Sequence, residues 1–255
     1  MKILFTSGGT KVNVDAVRSI TNMSRGTFGS AICKELLLRN HEVDFVMAEG
    51  SRTPFEFKSH FIPKPIMSMS DNFELSRLHS EWLSFIHKYC DRYHEYTYKT
   101  FEDYSNIVLG RLGSEQKYDM VILAAAVSDY DVDNYVDGKI RSSESLKIHL
   151  VPYPKIITEV KKIQPETFLV GFKLMVNSMD SELISEAQKS IEKNGCDIVV
   201  ANDLLDIRSN NHKLTIVSKY LTMLLTKDAC EKVGTSLSQE LVNYIICKYI
   251  SEKSL

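Results

Sequence analysis

Residues 1–10, MKILFTSGGT, and the thirty that follow them decide the fold. Lys2-Ile3-Leu4-Phe5 is an apolar run of the length of a buried strand, and Thr6-Ser7-Gly8-Gly9-Thr10 breaks it sharply. VRSITNMSRGTFG then leads into SAICKELLLRNHEVDFVMA, which reads as a helix and a second buried strand. Ala31, Leu36, Leu37 and Leu38 supply the apolar face of that helix, while Lys34, Glu35 and Arg39 point to water. The first strand therefore feeds a turn dense in backbone N–H groups and short hydroxyls. Adjacent glycines let a chain approach an anion closely, and a helix N-terminus beyond them adds a positive dipole end. Gly8, Gly9 and Thr10 are thus candidates for holding phosphate groups. Asn22-Met23-Ser24-Arg25-Gly26 adds a second polar turn, with an amide, a hydroxyl and a guanidinium. The glycines do not spell the dinucleotide fingerprint G-x-G-x-x-G, and no lysine follows them as in a P-loop.

Composition narrows the class. The chain has 255 residues, long enough for a sizeable core, and is read as a single α/β domain over 1–255. A formal net charge of −2 gives no bulk attraction to nucleic acid or to a membrane surface, so any anion site is local. Five cysteines, with no C-x-x-C pair, argue for reduced thiols rather than disulfides or zinc. No apolar run approaches the ~20 residues that cross a bilayer. The first strand begins too early for a signal peptide, and a cytoplasmic protein is expected.

Further along, 51–65 holds three of the six prolines among Phe55, Phe57 and Phe61 and reads as an extended surface segment. Ser70-Asp71 starts a helix to about Tyr93, Glu95–Tyr98 alternates like a short strand, and Thr100 starts a helix through Leu112. Tyr118–Ala126 is a continuous apolar run, the mark of a central parallel strand. The polar stretch 127–145 reads as a flexible flap. Leu146–Val151 follows as a strand, and a helix runs from Pro154 through Lys162. Phe168–Lys173 is a further buried strand, and an amphipathic helix covers Met179–Asn194 with Gly195 as its C-cap. Asp197–Ala201 is the last core strand, Lys213–Val217 and Tyr220–Leu225 pair as a hairpin, and Thr226 leads into a terminal helix. The alternation predicts a Rossmann-like α/β fold: an open, mostly parallel sheet flanked by helices, with a C-terminal β-hairpin extension. Ligands on such a sheet sit at the strand C-termini.

TSGGT, VRSITNMSRGTFG, AAAVSDY, GKIRSS, VGFKL and KSIEKNGCDIVVANDL occur in this order. Together they resemble the phosphopantothenoylcysteine synthetases (phosphopantothenate–cysteine ligases) of coenzyme A biosynthesis, in their free-standing form. The resemblance covers most of 1–205, is weak across 51–93, which reads as a variable insertion, and is generic beyond Asn210. It implies that CTP or ATP activates the carboxylate of phosphopantothenate as an acyl-nucleotidylate with release of pyrophosphate. The amino group of cysteine then attacks, forming the amide. The details of VGFKL and KNGCDIVVANDL favour CTP.

The resemblance also assigns roles. Asn22 matches the asparagine at the acyl intermediate, and Lys139 matches a catalytic lysine on the flap that also meets the nucleotide. Asp129 matches an aspartate at the nucleotide and its Mg2+. Ala125 contacts nucleotide and acyl substrate; Phe172 and the run Pro154, Lys155, Ile156 and Ile157 surround the base. Lys189 and Lys193, one helical turn apart, reach the triphosphate. The resemblance implies a homodimer, with the 213–225 hairpin as a contact offering a sheet edge. Arg25 departs from the family, standing where a serine or threonine is usual. Two rivals are weighed. A short-chain NAD(P) reductase needs Tyr-x-x-x-Lys on a helix, and Tyr135 and Lys139 have that spacing only in a glycine-containing loop. A non-catalytic nucleotide-binding module would release no pyrophosphate.

Overall fold

The computed structural model describes residues 1–56, 69–141 and 145–254. In chain order the first elements are β1 (Lys2–Ser7), β2 (Lys11–Asn13), β3 (Ser19–Thr21), α1 (Thr27–Leu38) and β4 (Glu42–Ala48). Next come α2 (Met69–Tyr89), β5 (Tyr93–Tyr98), α3 (Phe101–Gly113), β6 (Met120–Leu123), β7 (Tyr130–Val132) and β8 (Leu150–Pro152). The rest are α4 (Ile157–Ile163), β9 (Phe168–Met175), α5 (Asp180–Asn194), β10 (Ile198–Asp203) and α6 (Leu204–Arg208). The chain ends with β11 (Lys213–Ser218), β12 (Thr222–Thr226), α7 (Lys227–Lys232) and α8 (Leu237–Lys253).

Eight strands form one sheet in the order β12-β11-β10-β9-β6-β1-β4-β5. From β10 to β5 every pairing is parallel, and β11 and β12 close that end antiparallel. Alternation along the strands sends side chains to two separate cores. Ile3, Phe5, Phe45, Ile122 and Val170 meet α1 and α8 through Ile32, Leu36, Leu37, Leu241 and Ile245. On the opposite face Leu4, Val46, Val121, Leu169 and Val199 meet α3, α4 and α5 through Tyr104, Val108, Val160, Leu183 and Ala187. A third, small core of Val12, Val14 and Val132, with Ile140 and Tyr153 against it, joins the two-stranded sheets β2–β3 and β7–β8.

The helix signals act as read at two places. Thr100 accepts from the Asp103 N–H in a capping box that starts α3, and Gly195 ends α5 at φ 68°. Four expectations need correction. The helix after Ser70 stops at Tyr89, and a 3₁₀ turn over Cys90–Arg92 leads directly into β5, whose parallel pairing with β4 begins at Tyr93. The strand expected over Leu146–Val151 shrinks to Leu150–Pro152, because among the described residues its ladder is with the three residues of β7 alone. The terminal helix is two helices, interrupted at Gly234, which adopts φ 76°. Finally, β2 and β3 form a hairpin inside what reads as a plain connection. Phe57, Phe61, Pro63 and Pro65 of the extended segment, and residues 142–144 of the flap, lie outside the described residues.

Candidate active site

The ends of β1 and β6 are zipped together beyond the strands themselves. Ala124 N–H donates to Thr6 O (3.2 Å), Ala126 N–H to Gly8 O (2.7 Å) and Thr10 N–H to Ala126 O (3.2 Å). Gly8 makes this possible at φ 91°, where a side chain would also strike Ala48 and Ser51. The buried Thr10 hydroxyl accepts from Ser128 N–H at 2.8 Å, fixing the start of the segment that carries Asp129.

Asn22 spans both tips. Its main-chain N–H donates to Thr10 O (3.2 Å), and its side-chain Nδ2 donates to Ala126 O (3.0 Å). Gly9 lies so close that a Cβ there would sit 2.2 Å from Asn22 O. Asn22 is not a helix cap: the N-cap of α1 is Gly26, with no side-chain cap. Its amide is therefore held over the glycine turn by contacts unrelated to the helix.

Asp129 and the 154–157 run also meet. Asp129 pairs with the ammonium of Lys155 through Oδ1, and Tyr153 N–H donates to Asp129 O at 2.9 Å. Both side chains of the ion pair are more than half exposed, a setting in which such a pair contributes about 0–1 kcal/mol. Asp129 thus presents one exposed carboxylate, shared with Lys155; Mg2+ is bound by one or two such carboxylates when substrate phosphates supply the remaining oxygens.

Another acidic group, Glu42, Asp44 and His94, has atoms within 4.8 Å of one another. It lies where β1, β4 and β5 begin, at the other end of the sheet. Lys2 reaches Glu42 and Asp44, and Arg111 and the Tyr118 hydroxyl both bond Asp44 Oδ2. Two cations already balance its two carboxylates.

Other candidates are only partly assembled. Ala125 packs on the α3–α5 face of the sheet and Phe172 on the α1–α8 face, so methyl and ring point to opposite sides. Lys189 lines a cleft of about 550 Å³ between the end of β9 and the first turns of α5, with Met175, Asn177, Ser178 and Glu186. Its ammonium pairs with Glu186 at 2.6 Å. Lys193 is about 6 Å further down α5, away from the strand C-termini. It is outside the cleft lining and close to the helix end at Gly195. Within one chain the structure does not bring the two lysines to the glycine turn. Asp203 steadies one cleft residue: Oδ2 accepts from Ser178 N–H (2.9 Å), and Oδ1 caps α6 at Leu205 N–H (2.8 Å). Burial opposes ionisation there, but these bonds, first that from Ser178, hold its carboxyl below the usual range.

Lys139 is exposed, but its neighbours are tied down. Ala16 N–H donates to Gly138 O (3.0 Å), and Ile140 N–H donates to the buried Asp15 carboxylate (3.1 Å). Sequence reading assigned neither Asp15 nor Arg18 a role. An aspartate opening a turn with an arginine three residues on is the local signal that was available.

The chain matches the DNA/pantothenate metabolism flavoprotein C-terminal domain family over residues 1–62 and 100–246. The chain belongs to that family. The unmatched 63–99 contains α2, within the segment read as an insertion. Among relatives of this flavoprotein domain, the coenzyme A biosynthesis bifunctional protein CoaBC of Thermococcus kodakarensis is 33% identical over 244 residues. That alignment spans 94% of this chain and 51% of the relative. The phosphopantothenate–cysteine ligase 2 of Oryza sativa subsp. japonica is 29% identical over 235 residues, 81% of this chain and 69% of that one. The chain spans about half the length, or less, of the CoaBC proteins it matches. A flavoprotein of the same kind from Streptococcus pneumoniae superposes with a TM-score of 0.72 at 26% identity, over 99% of both chains. A Cab2 mutant in complex with phosphopantothenate-cysteine superposes at 0.81 and 22% identity, covering 100% of this chain and 89% of the other. The latter likeness is one of fold. No described helix is long and apolar enough to cross a membrane.

Proposed function

We propose that this chain is a phosphopantothenate–cysteine ligase: it activates the carboxylate of phosphopantothenate with a nucleoside triphosphate, then joins it to cysteine. The observation that carries this reading is Asn22, bonded to the tips of both β1 and β6 directly above the Gly8-Gly9 turn. A carboxylate is a poor electrophile, and coupling it to phosphate supplies a good leaving group. The obstacle is electrostatic, since two anions must be held in contact. Main-chain N–H groups of Gly8 and Gly9 would lower that repulsion without adding a titratable group. Asn22 presents a neutral amide to the acyl oxygen as charge develops there. Lys139 supplies a positive charge from the flap side, and Lys189 meets phosphate oxygens from the cleft side, with Lys193 behind it. Pro154–Ile157, Ala125 and Phe172 bound the base and ribose. Asp129 would hold Mg2+, which neutralises phosphate charge when bound.

CTP is the favoured nucleotide, with ATP the alternative. The family relationships support the ligase reading and give no support to a reductase. The protein works as a homodimer in this proposal. Exposed Val17, Ile20 and Met23, on the segment whose Asp15 bridges the exposed Val136, offer apolar side chains to a second copy; the 213–225 hairpin, with Tyr220, Leu221 and Leu224 exposed, is the other candidate contact. Five free cysteines suit the reducing cytoplasm.

The test is pyrophosphate release with CTP and ATP side by side, with and without phosphopantothenate and cysteine. Release that depends on phosphopantothenate is expected, as is product only with cysteine; release indifferent to phosphopantothenate refutes the reading. Asn22→Asp should lower turnover by roughly 100-fold, because a charge replaces a neutral donor at the acyl group.

A further inference from the structure

Asp15 is buried in the turn of a hairpin whose strands are three residues long. A hairpin of that size is marginal alone, and a carboxylate removed from water is costly unless several donors surround it. A turn aspartate that only caps its own loop needs two N–H donors and remains at the surface. Asp15 does more. Its Oδ1 accepts from Val17 N–H (2.8 Å) and Arg18 N–H (2.6 Å), which is the ordinary capping role. Its Oδ2 accepts from the Arg18 guanidinium (2.7 Å) and from Ile140 N–H (3.1 Å), 125 residues along the chain. The same guanidinium nitrogen donates to Ile140 O at 3.2 Å, and Ala16 N–H donates to Gly138 O at 3.0 Å. The main chain is thus held on both sides of Lys139, while the Lys139 side chain projects into solvent. Ile140 is further seated on the small core of Val12, Val14 and Val132. The β2–β3 hairpin that carries this grip ends at Thr21, the residue before Asn22.

We propose that Asp15 is a positioning residue for ligation: with Arg18 it clamps Ile140, beside the Ala16–Gly138 main-chain bond, and so sets where the Lys139 ammonium meets the reacting anions. This rests on the ligase reading, in which Lys139 takes part in turnover. A lysine on an untethered loop would sample many positions, and an error of about 1 Å at a reacting group lowers rate by roughly 100-fold. The clamp removes the main-chain share of that error and leaves only the side chain to adjust. Burial alone would raise the Asp15 carboxyl, but N–H bonds from Val17, Ile140 and Arg18 and the guanidinium charge more than reverse this. The group therefore stays ionised, as an acceptor for all four donors must.

Asp15→Asn tests the clamp. The amide keeps an oxygen for Val17 and Arg18 but turns an NH2 toward Ile140 N–H and the guanidinium, so the turn stays capped while Ile140 is released. Turnover should fall by roughly 10- to 100-fold with KM changed little. The decisive readout is the same substitution in a Lys139→Gln background, where it should cost no further activity. Equal losses in both backgrounds, or turnover within twofold of the parent, overturn the proposal. An activity-free readout accompanies it. Amide hydrogen exchange across Gly138–Arg141 should accelerate at least about tenfold in Asp15→Asn and stay unchanged in β1 and β6. Unaltered exchange at Gly138–Arg141 refutes the clamp, whatever the enzyme assays give. Absence of phosphopantothenate-dependent pyrophosphate release from the unsubstituted protein would instead refute the ligase reading, and exchange would still judge the clamp. If Asp15→Asn fails to fold, Arg18→Gln removes the guanidinium bonds to Asp15 and to Ile140 O while Asp15 keeps Ile140 N–H; exchange at Gly138–Arg141 must then accelerate in the same direction but by less, with the same non-additivity.

Discussion

Gly9→Ala isolates what the site's geometry is worth, apart from its chemistry. A Cβ at Gly9 would stand 2.2 Å from Asn22 O, 3.2 Å from Asn22 C and 3.5 Å from Asn22 Cβ. An ordinary carbon–oxygen contact is roughly 3.3 Å or longer, so the Asn22 main chain must retreat by about 1 Å. No flexible side-chain end absorbs the clash. Overpacking of this kind costs about 1–3 kcal/mol, and the retreat strains the bonds from Asn22 to Thr10 and Ala126. In a chain of this length that amounts to a melting shift of roughly 2–10 °C. The effect on turnover should be far larger, about 100-fold, because the displaced amide is the one assigned to the acyl group. Gly110→Ala in α3 is the control: nothing lies within 4 Å of its Cβ, and stability should rise by about 0.5–1 kcal/mol with turnover unchanged. Thermal melts and pyrophosphate release on both variants decide the matter. A Gly9→Ala protein that melts with the parent and turns over within threefold of it would show that Asn22 is not held as described.

Two further outcomes concern stability. Arg111→Met removes the principal cation from the fully buried Asp44 and should cost about 3–5 kcal/mol in urea titration, with Lys2 at 3.7 Å keeping it toward the lower figure; less than 1 kcal/mol would contradict the pairing. Burial, aided by the amino terminus and Arg39, pushes the His41 imidazole down to about 4. The unfolded ring takes up its proton near 6.5 and the folded ring only near 4, so stability should fall as pH drops through that window. The fall attributable to His41 is somewhat less than about 3 kcal/mol, since the ring is only partly buried. His41→Phe should flatten the profile between pH 6.5 and 4, and an unchanged profile would refute the assignment.

The parts legible in the sequence are those whose cause is local. β1, β4, β6, β9 and β10 announce themselves because parallel strands buried on both faces are continuous apolar runs. The Thr100 cap, the Gly195 terminus and the Gly8-Gly9 turn are likewise written in a few adjacent residues. The β2–β3 hairpin was illegible because strands of three residues are too short to show a period. The clamp on 138–140 was illegible for another reason: the donor at Ile140 and the acceptor at Asp15 belong to segments that show no relation until the chain is folded. Lys189 and Lys193 show the converse limit. Their shared helix face was correctly read, but which end of the sheet that face reaches depends on the direction of α5.

The bonds that build the cradle join Asn22 to Ala126 and Asp15 to Ile140, across 104 and 125 residues. A polypeptide emerging from the ribosome with only its first hundred residues can already pair β1 with β4 and β4 with β5, yet it has nothing to close the ligand cradle. Chemical competence in this fold therefore arrives late in synthesis. On titration with urea it should also be the first property to leave, before the helices lose their circular dichroism.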